Sequence, residues 1–224
     1  TSSTPWRSAS MVAAPLHTGL VLTKRIKRAA KFYEWLVSTS EDQRERECLA
    51  EMDGEAPGSF VELDGREKLR EWVLAKHWSC ADMSKIWLGT SAGRQSELNK
   101  RIPKLLSIPG ANRFLSLEPQ IESVELGPAM SGSEGELHQV IQGGESGPRA
   151  RPFDLKWAED VRKECDRLGV SHQLKQLGRR PHVGGEPLNL RKADGRRCSK
   201  GNHPELWPER IAEYQEPPVW LRTD

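Results

Sequence analysis

The chain has 224 residues, with 34 Lys and Arg against 32 Asp and Glu, a formal net charge of +2, 36% hydrophobic residues and four cysteines. A charge balance this close to neutral gives no whole-molecule attraction for nucleic acid or an anionic membrane, and no run approaches the roughly 18 apolar residues of a spanning helix. Cysteines at 48, 80, 165 and 198 make no dense disulfide framework, and no basic-then-apolar leader precedes the polar Thr1-Ser2-Ser3-Thr4, so a cytoplasmic location is expected.

Five short apolar runs end in polar or glycine-rich residues, and several lead into a stretch of helical period. The first, Leu20-Val21-Leu22, ends at Thr23-Lys24-Arg25 and is followed by a helical pattern of Ala29, Phe32, Tyr33 and Leu36. From 38 to 81 a highly charged stretch reads as an insertion, with a helix after Asp64 whose spacing to Glu67 fits a capping box. Ile86-Trp87-Leu88 ends at Gly89-Thr90-Ser91, and Leu98, Ile102, Leu105 and Leu106 then mark one helical face. Pro103 within that face predicts two short helices rather than one. The third run, 113 to 117, ends at Glu118-Pro119. Val140-Ile141 ends in Gly143-Gly144-Glu145-Ser146-Gly147, and the clearest helix follows, with Asp154 as N-cap, Leu155, Ala158, Val161, Cys165 and Leu168 as its stripe, and Gly169 as its stop. Val170 to Leu174 ends at Lys175-Gln176.

Strands alternating with helices predict an α/β fold with a parallel sheet. The expected organisation is an α/β body over 1–180, interrupted by the insertion at about 38–81, and an irregular carboxy-terminal extension over 181–224, whose Arg191, Lys192, Arg196, Arg197 and Lys200 read as a solvated loop or a phosphate-binding cluster. In such a sheet, ligands bind beyond the carboxyl ends of the strands. Lys24, Arg25, Thr90, Ser91, Glu118, Gly143, Gly144, Glu145, Ser146, Lys175 and Gln176 are therefore expected around one mouth. The glycines are open to two readings, a tight turn or a close backbone approach to an anion; Glu118 and Glu145 are candidates for an acid–base pair or for holding an amino group. No metal site is expected: His77 with Cys80 and Cys198 with His203 are isolated pairs, and Cys165 lies on an apolar stripe. Ser91 and Ser146 have no histidine partner nearby in sequence, which disfavours nucleophilic catalysis.

The strings APLHTGLVLTKR (14–25), KIWLGTSAG (85–93), RIPKLLSIPGANRFLSLEP (101–119), VIQGGESGPRARPFD (140–154) and LKQLGRRPHVGGEPLNL (174–190) resemble the phage and bacterial three-Cys-motif family of uncharacterised proteins. That resemblance implies a radical-SAM-like partial (β/α) barrel that uses S-adenosylmethionine and a [4Fe-4S] cluster held by three cysteines, often beside a partner protein encoded nearby. Two departures stand out. The family's cysteine motif lies upstream of the matched portion, and Gly93-Arg94 replaces an acidic–amide pair after the second strand. Thr1 is not an initiator residue, so the expectation is the carboxy-terminal portion of such an enzyme, with the first strands missing, one sheet edge exposed and no activity of its own. The alternative is a non-catalytic, phage-related binding protein that engages a protein partner or nucleic acid.

Overall fold

The computed structural model describes residues 19–40, 43, 86–108, 112–214 and 216–221. The expected helix after Asp64, nearly all of the charged insertion, Cys48, and His77 with Cys80 lie outside the described residues. Along the chain run β1 (Gly19–Leu22), α1 (Ile26–Ser38), β2 (Ile86–Ser91), α2 (Gln95–Leu106), β3 (Asn112–Leu117), α3 (Leu126–Met130), β4 (Gln139–Gly143), β5 (Phe153–Asp154), α4 (Leu155–Leu168), β6 (Ser171–Gln176), β7 (Pro181–Val183), β8 (Glu186–Pro187) and α5 (Glu209–Ala212). Two compact units divide the chain, one of Thr1–Val21, Arg25–Leu88 and Ile108–Asn112, the other of Leu22–Lys24, Gly89–Ser107 and Arg113–Asp224. In the first, Ile26 and Tyr33 of α1 are seven residues apart, hence on one helix face, and both are buried.

All five apolar runs become strands of one parallel sheet, in the order β1-β2-β3-β4-β6. The order follows the chain without reversal, so the sheet has none of the strand-order switch of a doubly wound fold. From β3 to β4 to β6 every step goes the same way, and right-handed crossovers of that kind put their helices on a single face. Some strands extend beyond the apolar runs. Gly89, Thr90 and Ser91 belong to β2, and Lys175 and Gln176 to β6, because strand pairing needs backbone groups rather than apolar side chains.

Register separates the two faces of the second unit. Leu115, Val140 and His172 align across the sheet, as do Leu117, Gln142 and Leu174, and all six are buried. Leu155 and Ala158 of α4 cover this face around Leu174. On the opposite face Phe114 aligns with Gln139 and Ser171, and Ser116 with Ile141 and Gln173. Here the carboxy-terminal turn takes over: the Trp220 ring meets Phe114 edge-on at 5.5 Å, and the Val219 N–H donates to Gln139 Oε1 at 3.1 Å. The Phe114 ring itself lies over Gly89, where a Cβ would come within 2.3 Å of it.

Two local expectations have different outcomes. Around α4, Asp154 accepts from the Lys156 N–H and Gly169 takes φ +69°, as the capping pattern predicts. Around Pro103 the expected break is absent, and α2 runs continuously from Gln95 to Leu106. An interior proline costs about 3 kcal/mol, whereas burying Leu98, Ile102, Leu105 and Leu106 on a stripe that spans it contributes about 1.5–3 kcal/mol each, so packing wins.

Residues beyond 181 are largely irregular but contribute to the core. Leu190, Cys198, Trp207 and Ile211 are buried in one cluster with Phe153, Leu155, Ala158, Leu174 and Leu177. Their backbone also serves the end of the sheet, where the Leu174 N–H donates to Tyr214 O at 2.8 Å and the Leu177 N–H to Gly201 O at 2.9 Å. At the other end of the strand order, β1 carries exposed Leu20 and Leu22.

Candidate functional site

The carboxyl ends of β2, β3, β4 and β6 open into two clefts within the second unit, and Glu118 lines both. The larger, about 430 Å3, is bounded by Glu118, Ser146, Lys175, Gln176, Lys200 and Asn202. The smaller, about 200 Å3, has Lys24, Ser91, Gly93, Arg94, Glu97, Arg101 and Arg151 on its walls beside Glu118.

One residue past β3, Glu118 reaches across the end of β4 to Lys175 of β6, with Nζ donating to Oε2 at 3.0 Å. The strand between them ends in Gly143, and a Cβ there would sit 3.2 Å from Glu118 Oε1. Glycine thus leaves the space in which the ion pair bridges two strands that are not neighbours. Gly144 serves a different contact. A Cβ on it would lie 2.3 Å from Leu177 O, because its N–H donates to Gln176 O at 3.0 Å while Gln176 Nε2 donates to Gly144 O at 3.0 Å. In this structure the close backbone approach at Gly144 is to the chain's own β6 end.

The three arginines around the smaller cleft are already matched by carboxylates. Glu97 accepts the Gly93 N–H at 2.8 Å and Arg101 Nη2 at 3.0 Å, and the backbone donor, more than the guanidinium, holds its carboxyl below the usual range against the effect of burial. Arg101 also donates to Ser91 O. Glu145 takes a bidentate grip from Arg151, at 2.7 and 2.8 Å, plus the Arg151 N–H at 2.9 Å, which together pull its pKa down to about 2. A carboxylate held this way is an orienting anion and a poor proton donor near neutral pH.

The expected site residues therefore separate into groups. Glu118, Ser146, Lys175 and Gln176 share the larger cleft, and Lys24 and Ser91 join Glu118 at the smaller. Gly143 is buried beside the ion pair, Gly144 is buried against Leu177 O, and Glu145 is held by Arg151. Thr90 is fully buried, its hydroxyl donating to Thr23 O at 2.9 Å, and Arg25 is exposed in the first unit. Sequence reading missed Arg94, Glu97, Arg101, Arg151, Lys200 and Asn202 as members of the mouth. The basic cluster containing Lys200 was the available signal, but its position beside β6 depends on tail contacts.

Beneath the mouth lies a buried amide chain. Gln120 Nε2 donates to Glu122 O at 2.9 Å, Gln142 Nε2 donates to Gln120 Oε1 at 2.6 Å and to Trp157 O at 3.0 Å, and Gln142 Oε1 meets His172 Nε2 at 2.8 Å. Both amide hydrogens of Gln142 are thereby committed, so its oxygen accepts and His172 carries its proton on Nε2.

Among the described residues no three His, Cys, Asp or Glu side chains group as metal ligands. Cys165 and Cys198 are buried, and burial pushes the Cys165 thiol up to about 12, the opposite of the thiolate character an iron–sulfur ligand requires. The described residues therefore do not fit a [4Fe-4S] cluster. Nor is any helix among them long and apolar enough to cross a membrane. No curated protein and no solved structure matches the chain. A family model described as a protein of unknown function (DUF5131) matches residues 7–206, nearly the whole length, and the chain belongs to that uncharacterised family.

Proposed function

We propose that the chain forms the later strands of a radical-SAM-like partial (β/α) barrel and that its strand-end mouth binds S-adenosylmethionine or the substrate of such an enzyme. The observation that carries this reading is the Glu118–Lys175 pair, a carboxylate and an ammonium 3.0 Å apart at the rim of an approximately 430 Å3 cleft. The methionyl end of S-adenosylmethionine bears the complementary ammonium and carboxylate, so a bound ligand exchanges the internal ion pair for two external ones. The unreversed strand order supports the barrel part of the reading, and the resemblance to phage and bacterial three-Cys-motif proteins supports the choice of cofactor. Iron–sulfur chemistry is assigned to no described residue. A partner protein encoded nearby is a further part of this proposal.

Equilibrium dialysis of the protein with S-adenosylmethionine tests it. Saturable binding that weakens in Glu118→Gln and in Lys175→Ala is expected. No binding at millimolar ligand, or binding indifferent to both substitutions, refutes the assignment.

A second reading rests on the basic surface of residues 179–200. Arg179, Arg180, Arg191, Lys192, Arg196 and Arg197 cluster there, with the Arg197 guanidinium donating to Arg179 O at 3.1 Å. As a non-catalytic nucleic-acid binder the protein would show an affinity that falls steeply with salt, and absence of binding at low salt would eliminate this reading.

A further inference from the structure

The two clefts differ in how their cations are matched. Around the smaller, Arg101 faces Glu97, Arg151 faces Glu145 and Arg94 faces Glu122, while Lys24 feels Glu97 only as a longer-range attraction. Around the larger, Lys175 is matched by Glu118, but Lys200 has no ion pair or hydrogen bond to any described residue. Two ammonium groups against one carboxylate leave that cleft with an excess positive charge.

Lys200 is held at this rim by its neighbour. The Gly201 carbonyl accepts both the Leu177 N–H at 2.9 Å and the indole N–H of Trp207 at 3.0 Å. Gly201 itself sits at φ +61°, where a Cβ would come within 2.5 Å of Gly178 O. Residue 201 is thereby pinned to the end of β6, with exposed Lys200 and Asn202 on either side of it. Asn202 Oδ1 faces the Cys198 thiol at 4.0 Å, which turns its amide nitrogen toward donation elsewhere. Lys200 Nζ and Asn202 Nδ2 are both donors, and the Ser146 hydroxyl on the same cleft adds a third.

We infer that Lys200 and Asn202 form an oxyanion subsite that takes the phosphate or carboxylate group of a small-molecule ligand of the mouth. The inference rests on the reading of the larger cleft as a ligand site and adds the charge class of what enters it. An approaching anion replaces water at an ammonium that no described residue pairs with, and it does so without breaking the Glu118–Lys175 pair. The group recognised is therefore additional to any ammonium held by Glu118.

Calorimetric titration of the full chain with inorganic phosphate and, separately, with acetate tests this, alongside S-adenosylmethionine binding. Saturable binding of at least one anion is expected, weakened at least about tenfold by Lys200→Ala, as befits loss of a charge-assisted hydrogen bond. Lys163→Ala, which removes an exposed cation on α4 that lines neither cleft, should leave it unchanged. Preference for phosphate identifies a phosphorylated ligand and preference for acetate a carboxylate one. The inference fails if neither anion binds, or if Lys200→Ala weakens binding no more than Lys163→Ala. Anion binding without S-adenosylmethionine binding overturns the cofactor assignment alone; the converse overturns the subsite alone.

Discussion

Acidification from pH 7 to pH 5 should destabilise the folded chain by about 2 kcal/mol through His172 alone. Its ring is 2% exposed, its Nε2–H is committed to Gln142, and its Nδ1 has no partner. A second proton must go onto that Nδ1, inside the core and facing no acceptor. Burial first, and then the Arg162 guanidinium, push the histidine down from 6.5 to about 4, with the Asp166 and Glu216 carboxylates opposing. The unfolded chain takes up the proton near 6.5 and the folded chain only near 4, so between these values the unfolded state binds more protons and stability falls as pH falls. The full gap corresponds to about 3 kcal/mol, of which about 2 kcal/mol is lost between pH 7 and pH 5. Urea denaturation followed by tryptophan fluorescence, at pH 7, 6 and 5, measures this in the native protein and in His172→Gln. The substitution keeps an amide donor for Gln142 and removes the titration. His138, whose pKa is lowered by burial and by Arg113, acts in the same direction but is common to both proteins and cancels in the comparison. Parallel pH profiles for the two proteins would refute the reasoning.

Gly144→Ala places a methyl 2.3 Å from Leu177 O and should cost about 1–3 kcal/mol, read as a lowered urea midpoint, whereas Ser146→Ala on the same string should be nearly neutral. Asp154→Ala removes the acceptor for the Lys156 N–H at the start of α4 and should cost about 1 kcal/mol in the same assay. Trp207→Ala empties a buried position and leaves Gly201 O without its indole donor; a loss of about 3–5 kcal/mol is expected, and a loss within experimental error would show that the tail is dispensable to the core. Cys165, buried with its thiol pushed up to about 12, should resist a thiol-specific chromogenic reagent until denaturant is added; rapid native labelling of Cys165, resolved by peptide mapping, would contradict its placement.

The features legible from sequence are those governed by neighbours three or four residues apart, or by simple alternation. Asp154, the apolar stripe of α4 and Gly169 define that helix without outside help, and the five apolar runs mark five strands whose polar ends point to a mouth. Longer-range energies overrode the local rules elsewhere. Pro103 is carried through α2 because the buried side chains on both sides of it contribute more than the proline costs. Which residues meet at the mouth was settled only by tertiary structure. Glu118 and Lys175, 57 residues apart, pair because parallel register brings β3 and β6 to the same end and Gly143 leaves the gap between them. Lys200 enters the site because one carbonyl, that of Gly201, binds the end of β6 and the indole of Trp207 together. Composition and near-neutral net charge determined neither contact, since both depend on a few backbone hydrogen bonds between segments far apart in the chain.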